Sequence, residues 1–208
     1  MDDKLLASLN EIMQKQIPAL EEGMRKRREL LANTRGQHME VYELFNISQD
    51  EGRRIELYHN LGRLFYNAVG RLLEKTTQAV IEHTKGGKSI TILNTVSTNP
   101  KKFSIDAFVE QDNKAHEIKW RDATTDGDHT RKENHKVQCI VERQMIPVRV
   151  MYYMPVSDQA IKIQNKVITA YRQQGEAYVG KDAWNYISDY TGVDLYAYLY
   201  EKTRELEA

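Results

Sequence analysis

Asp106, Glu117 and Lys119 are the residues of this 208-residue chain whose types and spacing suit hydrolytic chemistry. Glu117 and Lys119 stand two positions apart in AHEIKW (115–120), and Asp106 lies upstream in FSIDAFV. Successive strand side chains point to opposite faces, so Glu117 and Lys119 share one face while His116, Ile118 and Trp120 take the other. By the same alternation Phe103, Ile105, Ala107 and Val109 form an apolar face, and Ser104, Asp106 and Phe108 its opposite. A two-residue turn at Asp112-Asn113 sets Asp106 across from Lys119 and diagonal to Glu117, and the three converge. A one-residue slip sends Asp106 to the other side.

Two acids and an amine suit phosphodiester hydrolysis. Carboxylate oxygens ligate Mg²⁺, which keeps several waters when bound. The ion polarises a phosphate and makes a bound water more acidic. A neighbouring lysine orients that water, helps remove its proton, or offsets transition-state charge. The Ile118 backbone carbonyl, between Glu117 and Lys119, offers a further metal ligand. Acid-x-lysine alone is a weak signal: Asp2–Lys4 and Asp112–Lys114 repeat it without a second acidic strand before them. A charged, solvated hairpin face accounts for the same residues.

The elements that must position these residues are legible in outline. Residues 3–32 read as helical through Leu5, Leu6, Leu9, Ile12, Met13 and Leu20, with Pro18 as a break. Ser48 and Glu51 form a capping box. A helix-turn-helix pattern follows, whose longer helix covers about 57–83 with Leu61, Leu64, Phe65, Ala68, Leu72 and Ala79 on one stripe, ended by Gly86-Gly87. SITILNTV (89–96) reads as a strand, then two strands flank a polar turn at Gln111–Lys114. TTDGDHTRKENHKVQCIVERQ runs from loop into helix, and PVRVMYYMP (147–155) is a strand. From Ser157 the chain reads helical, with breaks near Tyr178–Lys181 and at Gly192. The fold class expected is α/β, a small mixed sheet with helices on both sides. The chain is read as one domain: an N-terminal helical region (1–50) for dimerisation or DNA contact, a core (51–156) and C-terminal helices (157–208).

Lysine plus arginine and aspartate plus glutamate each number 30, so the formal net charge is zero. That argues against a protein that coats nucleic acid non-specifically, but a local basic cleft beside an acidic cluster is compatible with neutrality. No apolar run approaches the roughly 20 residues a membrane span needs. The N-terminus lacks a signal-peptide pattern, and the single cysteine, Cys139, fits a reducing cytoplasm.

The order Asp106…Glu117-Ile118-Lys119 resembles the PD-(D/E)XK nuclease superfamily, with Ile105 where the motif has proline. The stretches EIKWRDATTDGDHTRKENHKV, PVRVMYYMP and AWNYISDYTGVDL are similar to the ApaLI-like restriction endonuclease family, a likeness running from about Gly52 to Leu195. The resemblance implies a restriction-endonuclease-like core and a homodimeric, Mg²⁺-dependent type II enzyme. Such an enzyme cuts double-stranded DNA at a short palindromic site, leaves 5′-phosphate and 3′-hydroxyl ends, and has a cognate DNA methyltransferase as genomic neighbour. It also implies that Glu74, in the helix before the first strand, is an additional acid near the metal. A repair or recombination nuclease on the same core, or a non-catalytic DNA-binding protein, are the alternatives.

Two polar segments are candidates for DNA contact: Asn94, Ser97 and Lys102 before Asp106, and Arg121, Thr124, Thr125, Asp128, His129, Arg131 and Lys132 after the Glu117 strand. Ordinary loop chemistry is the better account of the first segment, and DNA contact the better account of the second. The Tyr186, Tyr190, Tyr196, Tyr198 and Tyr200 cluster suits packing better than base stacking, and RKRR (25–28) reads as a solvated helix face. DGDHTRKENH lacks the cysteine pairs of a zinc site, and Cys139 is taken as a buried structural thiol.

Overall fold

β3 (Lys114–Lys119) is the middle strand of a five-stranded sheet ordered β1-β2-β3-β4-β5 in the computed structural model, which describes residues 1–33, 38–121 and 127–207. β1 (Lys88–Leu93), β2 (Lys102–Val109) and β3 run antiparallel in turn, while β4 (Ile146–Met151) and β5 (Glu176–Val179) add on parallel. Parallel neighbours need long crossovers. α4 (Gly127–Val141) supplies the one between β3 and β4, and α5 (Asp158–Gln174) the one between β4 and β5. The sheet is therefore mixed, with helices on both faces, as the sequence predicts.

The α4 face carries a cluster of Ile92, Phe103, Ile105, Ala115, Cys139, Ile140 and Met145, joined by Phe108. On the opposite face lie the last turns of α3 (Gln49–Lys85) and α6 (Lys181–Thr191). There the Thr77 and Tyr152 hydroxyls meet at 2.5 Å, and the His116 Nε2 meets the Tyr186 hydroxyl at 2.8 Å. Burial holds His116 well below its usual range, at about 4. The imidazole is therefore neutral, its Nδ1–H donates to the Ala107 carbonyl, and Nε2 accepts from Tyr186.

Strict alternation fails in β2. Ile105 and Phe108 pack into the same cluster, which a regular strand would not permit. The register explains it: Lys88 pairs with Phe108 and Ile90 with Ile105, so Asp106 and Ala107 together oppose Ser89 in a β-bulge. Side chains fill the hydrogen-bonding positions the bulge disturbs. Ser89 Oγ donates to the Ile105 carbonyl at 3.1 Å, and Gln78 Nε2 to the Asp106 carbonyl at 3.0 Å.

Several local expectations need correction. Pro18 sits inside an unbroken α1 (Asp3–Asn33). It is exposed, so the carbonyl that loses its amide partner faces water. Ser48 does cap its helix, accepting from the Glu51 amide at 3.2 Å, but the helix it starts is α3 itself, unbroken to Lys85. Phe65 is 43% exposed rather than on a buried stripe. β5 is a strand where the sequence shows only a helix break. Its approach to β4 requires Gly175, since a Cβ there would lie 2.2 Å from the Pro147 carbonyl oxygen. Gly192, in contrast, ends α6 as expected, in the left-handed conformation.

By compactness the chain forms two units, residues 1–8 with 73 onward, and Leu9–Leu72. The first holds the sheet, its flanking helices and α3 from residue 73; most of α1, Ser48 and residues 49–72 of α3 belong to the second. In the second, α1 and α3 come together where Gly23 faces Leu64, and α2 (Met39–Leu44) lays Tyr42 and Met39 against Gly52. α7 (Leu195–Glu207) follows α6 in the first unit. No helix among the described residues is long and apolar enough to cross a membrane.

Candidate active site

Paired residues between β2 and β3 run from Val109↔Lys114 through Phe108↔Ala115 to Ala107↔His116. The connecting turn is thus the four residues 110–113 rather than a two-residue turn. The register differs from the predicted one by an even number, so Asp106 still shares a side with Glu117 and Lys119, while the bulge brings Ile105 onto the side of Phe108, against expectation. Continued one step, the ladder puts Asp106 level with Glu117. Paired bonding stops there, and the Asp106 carboxylate takes over: its Oδ2 accepts from the Ile118 amide at 2.8 Å. The amide and carbonyl of one strand residue point to the same edge. The Ile118 carbonyl therefore also faces β2, while the Lys119 carbonyl accepts from the Tyr152 amide on the β4 side at 3.0 Å.

Lys119 bridges the two acids. Its Nζ contacts Glu117 Oε1 and lies 3.8 Å from Asp106 Oδ2. The other Glu117 oxygen is held by a group that the sequence reading passed over, the Lys136 ammonium from α4. Glu117 and Lys136 are nearly inaccessible, Asp106 little more exposed, and Lys119 is the open member with 24% of its side chain exposed. Burial would raise Glu117, but Lys119 and Lys136 outweigh it and hold its carboxyl below the usual range. Burial, and then the charge on Glu117, push Asp106 above its usual range. Burial opposes the charge on Lys119, and Glu117 and Asp106 more than restore it.

A second polar layer supports the first. Arg149, fully buried on β4 beside Glu117, donates to Glu133 of α4 at 3.1 Å and to Gln164 of α5 at 2.9 Å. The Tyr171 hydroxyl donates to the same Glu133 oxygen at 3.2 Å. Lys136, Glu133 and Arg149 were legible in principle. Glu133 and Lys136 share helical phase with Val137 and Ile140, so they face the sheet, and Arg149 interrupts an apolar strand. Polar residues at core positions are the signal.

The other expected site residues are spread more widely. Glu74 is half-buried on α3, one turn before Gln78, which reaches the Asp106 carbonyl; Gln78 and Glu74 are 3.5 Å apart. Asn94 is engaged within its loop, accepting from the Val96 and Ser97 amides at 3.0 Å and donating to Ser97 Oγ and the Pro100 carbonyl. Ser97 ties that loop to α4 through His135 Nδ1 at 3.1 Å. Lys102 is exposed at the start of β2. The Arg121 guanidinium sits over the Trp120 ring, 5.3 Å from its centroid. On the first turns of α4, Asp128 pairs with Arg131 and Lys132, and His129 is buried. Thr124 and Thr125 lie outside the described residues. Cys139 is buried, with its sulfur near the Thr95 amide and hydroxyl, which suits a structural thiol.

The model of the ApaLI-like restriction endonuclease family matches residues 1–204, nearly the whole chain. The chain belongs to that family. The match includes the N-terminal helices, beyond the 52–195 stretch in which the sequence likeness was read. No curated protein and no solved structure matches the chain. As an ApaLI-like restriction endonuclease it is a hydrolase that acts on double-stranded DNA, in a family that generally uses a divalent metal.

The residues fit such a metal. Among the described residues no three His, Cys, Asp or Glu gather as a self-sufficient cage. A pair of buried carboxylates on neighbouring strands, open on the Lys119 side, is instead the donor set Mg²⁺ uses when waters and phosphate oxygens complete its shell.

Proposed function

We propose that this ApaLI-like protein is a Mg²⁺-dependent type II restriction endonuclease that cuts both strands of a short palindromic DNA site as a homodimer. The observation that carries the reading is the convergence of Asp106, Glu117 and Lys119 on one face at the middle of the sheet. Asp106, Glu117 and the Ile118 carbonyl would hold the metal; Glu74 stands outside that set, on α3 beside the Gln78 that bonds the Asp106 carbonyl. When bound, the ion polarises the phosphate and acidifies a water.

The chain's own groups do the rest. Lys119, whose charge is firmly held, orients the attacking water and offsets negative charge on the phosphate in the transition state. Lys136 holds the inner Glu117 oxygen from α4, so the carboxylate is set before substrate arrives. The water oxygen bonds to phosphorus and the bond to the 3′ oxygen breaks. That oxygen takes up a proton and leaves as a 3′-hydroxyl, with the 5′-phosphate on the other fragment. On this reading Lys102, Arg121, Arg131 and Lys132 would meet phosphates, Arg131 and Lys132 exchanging their Asp128 partner for DNA, and Thr124, Thr125, Asp128, His129, Asn94 and Ser97 would belong to segments that read or shape the site.

Plasmid incubated with the protein and Mg²⁺ tests the reading. Discrete bands that disappear with chelator and return with added Mg²⁺ are the expected result. A smear, or cleavage confined to branched DNA, counts against a restriction enzyme, and no cleavage under any divalent ion counts against hydrolysis.

A further inference from the structure

The charges that meet at this site cancel without any metal. Asp106, Glu117 and Glu133 stand against Lys119, Lys136 and Arg149, each acid in contact with at least one of the bases. A cluster paired in this way offers a divalent ion two carboxylate donors but little net attraction until more negative charge arrives. Of the three bases, Lys119 is the most exposed, with 24% of its side chain open, and Arg149 is bound to Glu133 and Gln164. Lys136 alone spends its charge on the inner oxygen of Glu117 from a nearly inaccessible position on α4.

We infer that Lys136 is a positioning residue that makes metal loading depend on DNA: its ammonium stands in for the ion on Glu117 until a DNA phosphate brings negative charge into the site. The inference rests on the reading of Asp106 and Glu117 as metal ligands. Its physical basis is that unit charges a few ångströms apart interact by several kcal/mol in a site screened from water, so adding a divalent cation to a neutral set beside a fixed cation is unfavourable. A phosphate supplies the missing charge, and by linkage metal and DNA then strengthen each other's binding. Such a device keeps the hydrolytic site unloaded away from DNA.

Mn²⁺ binding measured by calorimetry on the whole protein without DNA tests this, alongside circular dichroism to establish folding. The wild type is expected to bind Mn²⁺ weakly. Lys136→Met should bind it about tenfold more tightly or better, since a nearby cation has been removed, and Lys136→Arg should behave like the wild type. A merely structural lysine would give no such split between neutral and charged replacements. Micromolar Mn²⁺ binding by the wild type without DNA overturns the proposal even if no variant folds. So does a Lys136→Met protein that folds and binds Mn²⁺ no better. Asp106→Asn and Glu117→Gln separate the two levels of argument. If both leave Mn²⁺ binding unchanged, the metal-ligand reading itself is wrong; if both weaken it while Lys136→Met has no effect, only the role of Lys136 fails.

Discussion

The Asp106 carboxylate accepts a hydrogen bond from the Ile118 amide at 2.8 Å, in the place where the ladder between β2 and β3 would otherwise continue. One acid therefore both closes the hairpin and turns a charged oxygen toward Glu117 and Lys119. Structure and chemistry meet on the same side chain, and they can be separated by substitution.

Asp106→Asn keeps an oxygen that accepts from Ile118 and removes the charge. Its stability in urea should stay near that of the wild type while cleavage is lost. Asp106→Ala leaves a buried amide without its partner and should lose about 1–3 kcal/mol as well. Equal destabilisation by both variants contradicts this division of roles.

Lys119 contacts Glu117 Oε1 and is the most open member of the cluster. Lys119→Ala should slow single-turnover cleavage by roughly 10²–10³-fold, the usual cost of removing one group that stabilises transition-state charge. Binding to the cognate duplex, followed by mobility shift, should change little. An active Lys119→Ala enzyme refutes the assignment.

Arg149 is fully buried between Glu133 and Gln164. Arg149→Met strands the Glu133 carboxylate in the interior and should cost about 3–5 kcal/mol in urea unfolding. Adding Glu133→Gln to that variant should recover part of the loss, because the uncompensated charge goes with it. A double variant less stable than Arg149→Met alone argues that the pair is not coupled.

On the proposed reading, one hydrolytic site per chain addresses two strands through a two-fold dimer on a palindrome. Leu44, Phe45 and Tyr58 are 83%, 76% and 69% exposed, apolar surface of the kind an interface covers. Light scattering should give a dimer, and Leu44→Ser with Phe45→Ser should shift it to monomer and turn double-strand cuts into nicks. A wild-type monomer, even on DNA, is the outcome that contradicts the symmetric reading.

The sequence by itself determined the mixed sheet with helices on both sides and singled out Asp106, Glu117 and Lys119 as candidates, because side-chain alternation and helical periodicity are local properties of the chain. The shared face of Asp106, Glu117 and Lys119 could be read from strand alternation, the Ser48 cap from Glu51 three residues on, and the break at Gly192 from the glycine itself. Only the tertiary structure decided what surrounds them. The bulge at Asp106–Ala107 is a property of the β1–β2 register, and a strand read alone carries no record of its partner. Lys136 and Arg149 reach Glu117 and Glu133 from a helix and a strand distant in sequence, and β5 is a strand because β4 offers it an edge. Long-range burial turns ordinary charged residues into a closed ionic cluster, since away from water each charge must find its partner in the fold.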